Sequence, residues 1–375
     1  MDYKDMCERP LKLKYTRVHR NYTGGLLLER WQNNAMPSDG NKPEEWVAST
    51  IDARTDDYIA NEGLSAIECK GNDIFLRDII NMYPEQLLGK EHVKNYNTNP
   101  AVLVKMIDSC SRLYIQVHPD REFARKAFGS GFGKTEAWYI LGGRIIDGKE
   151  PYVLLGFKEG VTKEKWIELF EKQDVEGMVN SLHRFPVKPG DVFFIESGVP
   201  HAIGSGCFLL EVQEPTDYTF RVERFSHDRR ELPEFFNHQG LGFEKMFDSF
   251  HYDAYSREEI INKMYLKPSI VDKQDGGIKT SIISSSQTDF FAMDKLEVSE
   301  RFITKKSESF IAGVVISGTG KIAWQDGEME IRQADELFLP ASLKDLTWQN
   351  TGNTAFEVIL CSPPKTKSKY TEWEK

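Results

Sequence analysis

The chain has 375 residues, 40% of them hydrophobic and 28% charged, with a formal net charge of -10. That length exceeds one ordinary core and predicts two or three domains. The acidic balance excludes a general attraction for nucleic acid or an anionic membrane, so an anionic substrate needs a local basic cluster. The five cysteines, Cys7, Cys69, Cys110, Cys207 and Cys361, are scattered and form no CxxC pair, which argues against a disulfide framework and against a cysteine zinc site. Met1 to Pro10 is charged without an apolar run, and no window reaches the apolar length of a membrane span. A reducing, cytoplasmic setting is the expectation.

In chain order, Leu11, Leu13 and Tyr15 alternate as one face of a strand. Asn21-Tyr22-Thr23-Gly24-Gly25 reads as a turn ahead of Leu26-Leu27-Leu28, and Met36 to Pro43 as a polar loop. Glu44 to Thr50 reads as a strand, with Ser49 a solvated hydroxyl at its end. Apolar residues from Ile74 to Leu87 recur at helical spacing and predict a helix within 73–89. Residues 101–110 predict a buried strand ending at Asp108-Ser109. Leu113 to Asp120 predicts the next, stopped by Pro119. Arg121 to Phe128 makes a short helix, and Gly129-Ser130-Gly131-Phe132-Gly133 a glycine loop without a phosphate-binding signature. Strands follow at Lys134–Leu141 and Tyr152–Phe157. Thr162 caps a helical excursion whose apolar stripes are Trp166, Ile167, Leu169, Phe170 and then Val175, Met178, Val179, Leu182. The strand pattern returns at Phe185–Ile195, turning at Pro189-Gly190, and continues at Leu209–Gln213 and Asp217–Arg221. Helical patches centre on Ser256 to Tyr265. A second β-unit is expected from about Phe290 to Cys361, with turns at Gly318-Thr319-Gly320, Asp326-Gly327 and Thr351-Gly352-Asn353.

Alternate residues of a strand share a face. Gln116 and His118 therefore point one way, Lys134 and Glu136 share a face on their own strand, and Asp217, Thr219 and Arg221 share one on theirs. The turn Ser197–Gly204 delivers His201. Gln116, His118, Glu136 and His201 offer oxygen and nitrogen ligands and no sulfur, a set that suits zinc, iron, manganese, cobalt or nickel and favours a catalytic site. The other six histidines, His19, His92, His183, His227, His238 and His251, lack such neighbours and read as bystanders. Arg221 has an alternative use as an ion pair with Asp217, and Lys134 as one with Glu136. The sequence after His251 contains no histidine, so the second β-unit cannot repeat a histidine-based site.

The string "LYIQVHPD" at 113–120, "KTEAWYIL" at 134–141, "VKPGDVFFIESGVPHAIGSG" at 187–206 and "LLEVQEPTDYTFRV" at 209–222 resembles type I mannose-6-phosphate isomerase, a family of the cupin superfamily. Pro10-Leu11, Gly24-Gly25, Glu45-Trp46 and "AVLVKMID" at 101–108 extend the resemblance across roughly the first two-thirds of the chain. Two stretches depart from the family pattern: Arg20-Asn21-Tyr22-Thr23-Gly24-Gly25, where relatives carry an arginine, an aromatic residue and two glycines, and Val222-Glu223-Arg224-Phe225 after Arg221.

The resemblance implies a mostly-β protein of two cupin-type jelly-roll barrels with helical insertions. Residues 1–250 would form a catalytic cupin domain with an N-terminal extension and a helical insertion at about 158–183. Residues 251–375 would hold a linker helix and a degenerate cupin-like domain. It implies one zinc ion per chain on Gln116, His118, Glu136 and His201, with Arg221 catalytic and Lys134 and Glu211 lining the substrate site. The implied reaction interconverts mannose 6-phosphate and fructose 6-phosphate through an enediol. The implied partner is a sugar phosphate, with no nucleic acid or membrane, and the chain is expected as monomer or homodimer. The alternatives are an isomerase of a related sugar and a non-catalytic metal-binding cupin that senses a sugar.

Overall fold

The computed structural model of the chain describes residues 3–54, 59–69, 71–226 and 229–365. His227 and the polar tail beyond residue 365 lie outside the described residues. Apart from a two-stranded ribbon of Ala66–Cys69 and Asn72–Phe75, the described strands form two pairs of sheets.

In the first pair, a seven-stranded sheet runs in the order Tyr265–Leu266, Val192–Ile195, Glu136–Gly143, Cys207–Gln213, Leu103–Asp108, Glu44–Val47 and Arg17–Val18. Its partner runs Leu182–Pro186, Tyr152–Lys158, His201–Ile203, Gln116–Val117 and Phe220–Arg221, with Ala254–Tyr255 added in parallel to Tyr152–Lys158. Between them lies a core of Ile107, Trp138, Ile140, Phe193 and Leu209 from one sheet and Val153, Leu155, Phe185 and Ile203 from the other.

The second pair has a seven-stranded sheet ordered Leu11–Lys12, Glu336–Leu339, Ile311–Ser317, Phe356–Ser362, Ala292–Val298, Gly277–Ile283 and Ser269–Gln274. A four-stranded sheet of Arg301–Thr304, Leu346–Asn350, Thr319–Trp324 and Gly327–Arg332 covers it. Leu296, Val298, Leu337 and Val358 pack there against Phe302, Ile322, Leu346 and Trp348.

The two seven-stranded sheets also share a core. Met106, Ala137, Tyr139 and Leu210 point out of the first pair and meet Met293, Val314, Phe338 and Ile359 of the second. A strand buried on both faces reads as a nearly continuous apolar run, which explains the hydrophobicity of residues 102–107 and 209–212, interrupted only by Lys105 and Glu211. The two pairs also exchange edges: Leu11–Lys12 pairs with Glu336–Leu339, and Tyr265–Leu266 pairs with Val192–Ile195.

The helical excursion is present as Lys163–Glu171 and Val175–Asn180, and the Thr162 hydroxyl accepts from Lys165 N–H as its cap. Ser256 forms a capping box with Glu259 for Arg257–Met264.

Other expectations are corrected. The strand over Leu113–Asp120 shrinks to Gln116–Val117, and that over Asp217–Arg221 to Phe220–Arg221, because side chains take up flanking backbone groups: Ile115 N–H donates to Glu223, and Tyr218 O and Thr219 O meet His118 and Gln239. Pairing at the next strand begins at Glu136, leaving Lys134 outside it. Only Leu11–Lys12 of the first predicted strand pairs, and Tyr15 is 49% exposed. Ser49 is buried, and its N–H donates to Ser65 Oγ at 3.0 Å. The second unit starts at Ser269, well before Phe290, with a hairpin whose outer strand is almost wholly exposed and so shows no burial alternation. Thr319 and Gly320, read as a turn, open the strand Thr319–Trp324.

Candidate metal centre and cleft

Register brings the site together. His201 pairs with Gln116 on one side, and Gln116 pairs with Arg221 on the other. On the opposing sheet Glu136 pairs with Gln213 and Ile195. His118, Glu136 and His201 are buried, and each offers a ligand atom within 4.8 Å of the others.

Both imidazoles are oriented by the backbone. His118 Nδ1 lies 2.9 Å from Tyr218 O, and His201 Nδ1 lies 2.8 Å from Val199 O. A carbonyl accepts only, so each Nδ1 carries the proton and each Nε2 presents a lone pair to the centre. The two Nε2 atoms are 3.2 Å apart, and they lie 3.1 and 3.3 Å from the Glu136 carboxylate. Both Glu136 oxygens are fully buried, and neither makes a well-formed hydrogen bond. Gln116 places its amide 3.2 Å from His201 Nε2, and a half-turn of that amide would present its oxygen instead.

Two imidazole lone pairs and a carboxylate converging on one buried point fit a divalent cation, and the nitrogen and oxygen set fits zinc. Here the Lys134 ammonium supplies positive charge, 2.8 Å from His118 Nε2 and 3.1 Å from Glu136 Oε2. Burial, reinforced by Lys134, pushes the His118 imidazole down to about 3. Burial opposes ionisation of Glu136, but Lys134 and the two imidazoles overcome it and hold the carboxyl well below its usual range.

Beside this centre runs a charged cleft lined by Arg20, Tyr22, Glu44, Lys105, Gln116, Lys134, Glu211, Asp217 and Arg221. Glu211 is buried, accepts from Trp138 Nε1 at 2.9 Å and lies 3.3 Å from Lys105 Nζ. Burial and the neighbouring Glu136 raise its carboxyl, against the pull of Lys105 and Lys134. Arg221 Nη1 donates to Phe236 O at 3.0 Å, with its guanidinium 3.9 Å from the Phe236 ring centroid. Asp217 lies 3.4 Å from Arg20, which also meets Glu44 at 3.0 Å. Burial opposes ionisation of Asp217, but Arg20 and Lys105 bring its carboxyl down to about 2.

All seven residues singled out in the sequence thus gather around one cleft and its deep end. The sequence reading passed over Glu44 and Lys105 as site residues. The signal for Lys105 was a lysine inside an otherwise apolar strand. Among the described residues no second cluster of potential ligands forms. His92 is buried against Tyr96 and Phe310, His183 contacts Tyr255 O at 2.8 Å, and His19 pairs with Glu62 at 2.6 Å.

A buried His-Glu-His set on paired antiparallel sheets defines a cupin-type protein with a candidate metal site. The family model for the mannose-6-phosphate isomerase cupin domain matches residues 281–358, within the second unit. A Bacillus subtilis relative named "Probable mannose-6-phosphate isomerase GmuF" is 31% identical over 257 residues, 67% of this chain and 72% of its own. The mannose-6-phosphate isomerase of Streptococcus mutans is 29% identical over 352 residues, 92% of this chain and 96% of its own. The crystal structure of a Bacillus subtilis mannose 6-phosphate isomerase matches with a TM-score of 0.74 at 22% identity, covering 94% of this chain and 99% of that one. A structure described as holo, zinc-bound mannose 6-phosphate isomerase matches at 0.72 and 14% identity, covering 95% of this chain and 99% of that one. The chain belongs to the mannose-6-phosphate isomerase family, of type I and cupin fold. Among the described residues no helix is long and apolar enough to cross a membrane.

Proposed function

We propose that the chain interconverts mannose 6-phosphate and fructose 6-phosphate, with one zinc ion per chain. The observation that carries this reading is the convergence of His118, Glu136 and His201 at the end of a cleft that also holds Lys134, Glu211 and Arg221. Gln116, His118, Glu136 and His201 would hold the metal. When bound, the metal polarises the sugar oxygens and offsets the negative charge that develops on them.

The reaction removes a proton from C2 of the open-chain aldose and returns one to C1, with an enediol between. Lys134 and Glu211 are the cleft side chains suited to carrying that proton. Arg221 keeps its charge at any working pH and suits a phosphate or an oxyanion rather than a proton shuttle. Burial of the cleft floor limits water beside the intermediate. We assign catalysis to the unit formed by residues 1–250, with residues 251–375 as its buttress.

The test is a coupled assay of mannose 6-phosphate conversion, before and after chelation and zinc restoration. Activity that disappears with chelator and returns with zinc supports the reading. A zinc-loaded protein without turnover on this substrate would sink it.

A further inference from the structure

Lys134 reaches both His118 and Glu136, yet it lies outside the strand that begins at Glu136. One carboxylate grips the backbone on either side of it. Glu214 Oε1 accepts from Gly133 N–H at 3.3 Å, and Glu214 Oε2 accepts from Thr135 N–H at 3.0 Å. The same three residues are held by Glu214 N–H to Thr135 O at 3.1 Å, Thr216 Oγ1 to Gly133 O at 2.7 Å, and Lys134 N–H to Pro119 O at 3.1 Å.

Glu214 is fully buried and is itself fixed by Arg121, whose Nε donates to Oε1 at 2.6 Å. The Arg121 guanidinium lies 4.3 Å from the ring centroid of Phe290, which belongs to the C-terminal half of the chain. Gly133 permits the approach: a Cβ there would stand 2.7 Å from Pro119 O and 2.9 Å from Arg121 N. The loop carrying Lys134 is therefore pressed against the turn that follows His118, and the carboxylate closes over it.

We propose that Glu214, held by Arg121, is the positioning residue for Lys134. This rests on the role proposed above for Lys134. A salt bridge serving stability alone would not need both carboxylate oxygens on the two amides that flank a functional lysine. Misplacing a reacting group by about 1 Å can cost about a hundredfold in rate. The proposal also gives the second unit, through Phe290, a physical contact with the residue that sets Lys134.

The test uses Glu214→Gln in the full chain loaded with zinc. Glutamine keeps the shape but turns an NH2 donor toward one of the two amides. Turnover is expected to fall about tenfold with KM and metal content little changed. In a Lys134→Ala background the same substitution is expected to add no further loss, since coupled residues are non-additive. Fully additive losses would overturn the proposal. Hydrogen exchange gives a second readout that needs no activity: protection of residues 129–136 should fall about tenfold while residues 207–213 stay protected. Unchanged exchange there would overturn the proposal even in an active enzyme. If the unsubstituted protein shows no isomerase activity, the functional reading fails while the exchange result still decides the clamp. Arg121→Lys, which keeps the charge but loses the planar fork, gives the same readouts should Glu214→Gln not fold.

Discussion

The Lys134 ammonium donates to the Nε2 lone pair of His118 at 2.8 Å, the atom with which that histidine would ligate a metal. Ammonium and metal therefore compete for one lone pair and for the Glu136 carboxylate. A metal held by His118 and Glu136 would leave Lys134 free to face the cleft, which it also lines. Lys134→Met should tighten zinc binding on the order of tenfold, by removing a cation beside the proposed ligand atoms. It should at the same time lower turnover by roughly a hundredfold or more. Competition titration against a chelator and steady-state kinetics check both parts. Weaker zinc binding would show that the ammonium supports the metal rather than opposing it.

Arg221 approaches the cleft from a strand end and rests on Phe236. Arg221→Ala should leave metal content intact and lower kcat/KM about a hundredfold, about 2.7 kcal/mol of transition-state stabilisation. Elemental analysis with kinetics reads both. Unimpaired turnover would remove Arg221 from the site.

A pH dependence should arise away from the cleft. Glu45 and Glu336 are both buried where the two units meet. Glu45 accepts from Thr16 N–H and from Gln32 Nε2, whereas neither carboxylate oxygen of Glu336 has a donor. Glu45 is raised to about 7 by burial, and Glu336 is raised well above its usual value by burial and by Glu45 and Asp335, against Arg17. Tyr15 senses both carboxylates. A carboxyl raised on folding binds more protons in the folded state than in the unfolded one. Its stabilisation is present in full below the unfolded value near 4.5 and is lost as pH rises through the folded value. Stability to urea should therefore decline from about pH 5 to pH 7 and beyond, by about 1.4 kcal/mol per pH unit for each proton bound only by the folded state. Glu336→Gln should flatten that slope. An equal slope in the variant would show that the seam is not its source.

Asp108 ends the strand Leu103–Asp108 and turns its carboxylate onto the helix Leu26–Trp31. Its Oδ2 accepts from Gly25 N–H at 3.0 Å, Leu27 N–H at 2.6 Å and Leu28 N–H at 3.4 Å. It does from a distance what an adjacent cap residue does locally. Asp108→Ala should cost about 1–3 kcal/mol, since it strands several donors at once. Urea denaturation measures this, and a loss below about 0.5 kcal/mol would class the contact with ordinary surface positions.

Local chemistry made much of this legible. Gln116 and His118 both reach His201, as strand alternation demands, although only Gln116–Val117 is laddered. Thr162 announced its helix through its hydroxyl. The second unit was harder. Ala292–Val298 interleaves Asp294, Lys295 and Glu297 with buried Met293, Leu296 and Val298, so charge masks its period. The network of Arg20, Glu44, Lys105 and Asp217 draws on separate segments, and no spacing in the sequence signals it. Arg221 and Asp217, whose ion pair was the alternative to a role for Arg221 in the site, stand on a segment where only Phe220–Arg221 is laddered, and Asp217 meets Arg20.

The strand Leu11–Lys12 completes a sheet whose other members come from the end of the chain, and Lys12 meets Asp335 across 323 residues of sequence. During synthesis this segment leaves the ribosome well ahead of its partner strand, with Lys12 standing 323 positions before the Asp335 it meets. Folding must hold it unpaired through that interval, which makes the final docking a long-range and hence slow event. Once docked, it ties a segment that precedes the first pair of sheets to the strands of the second.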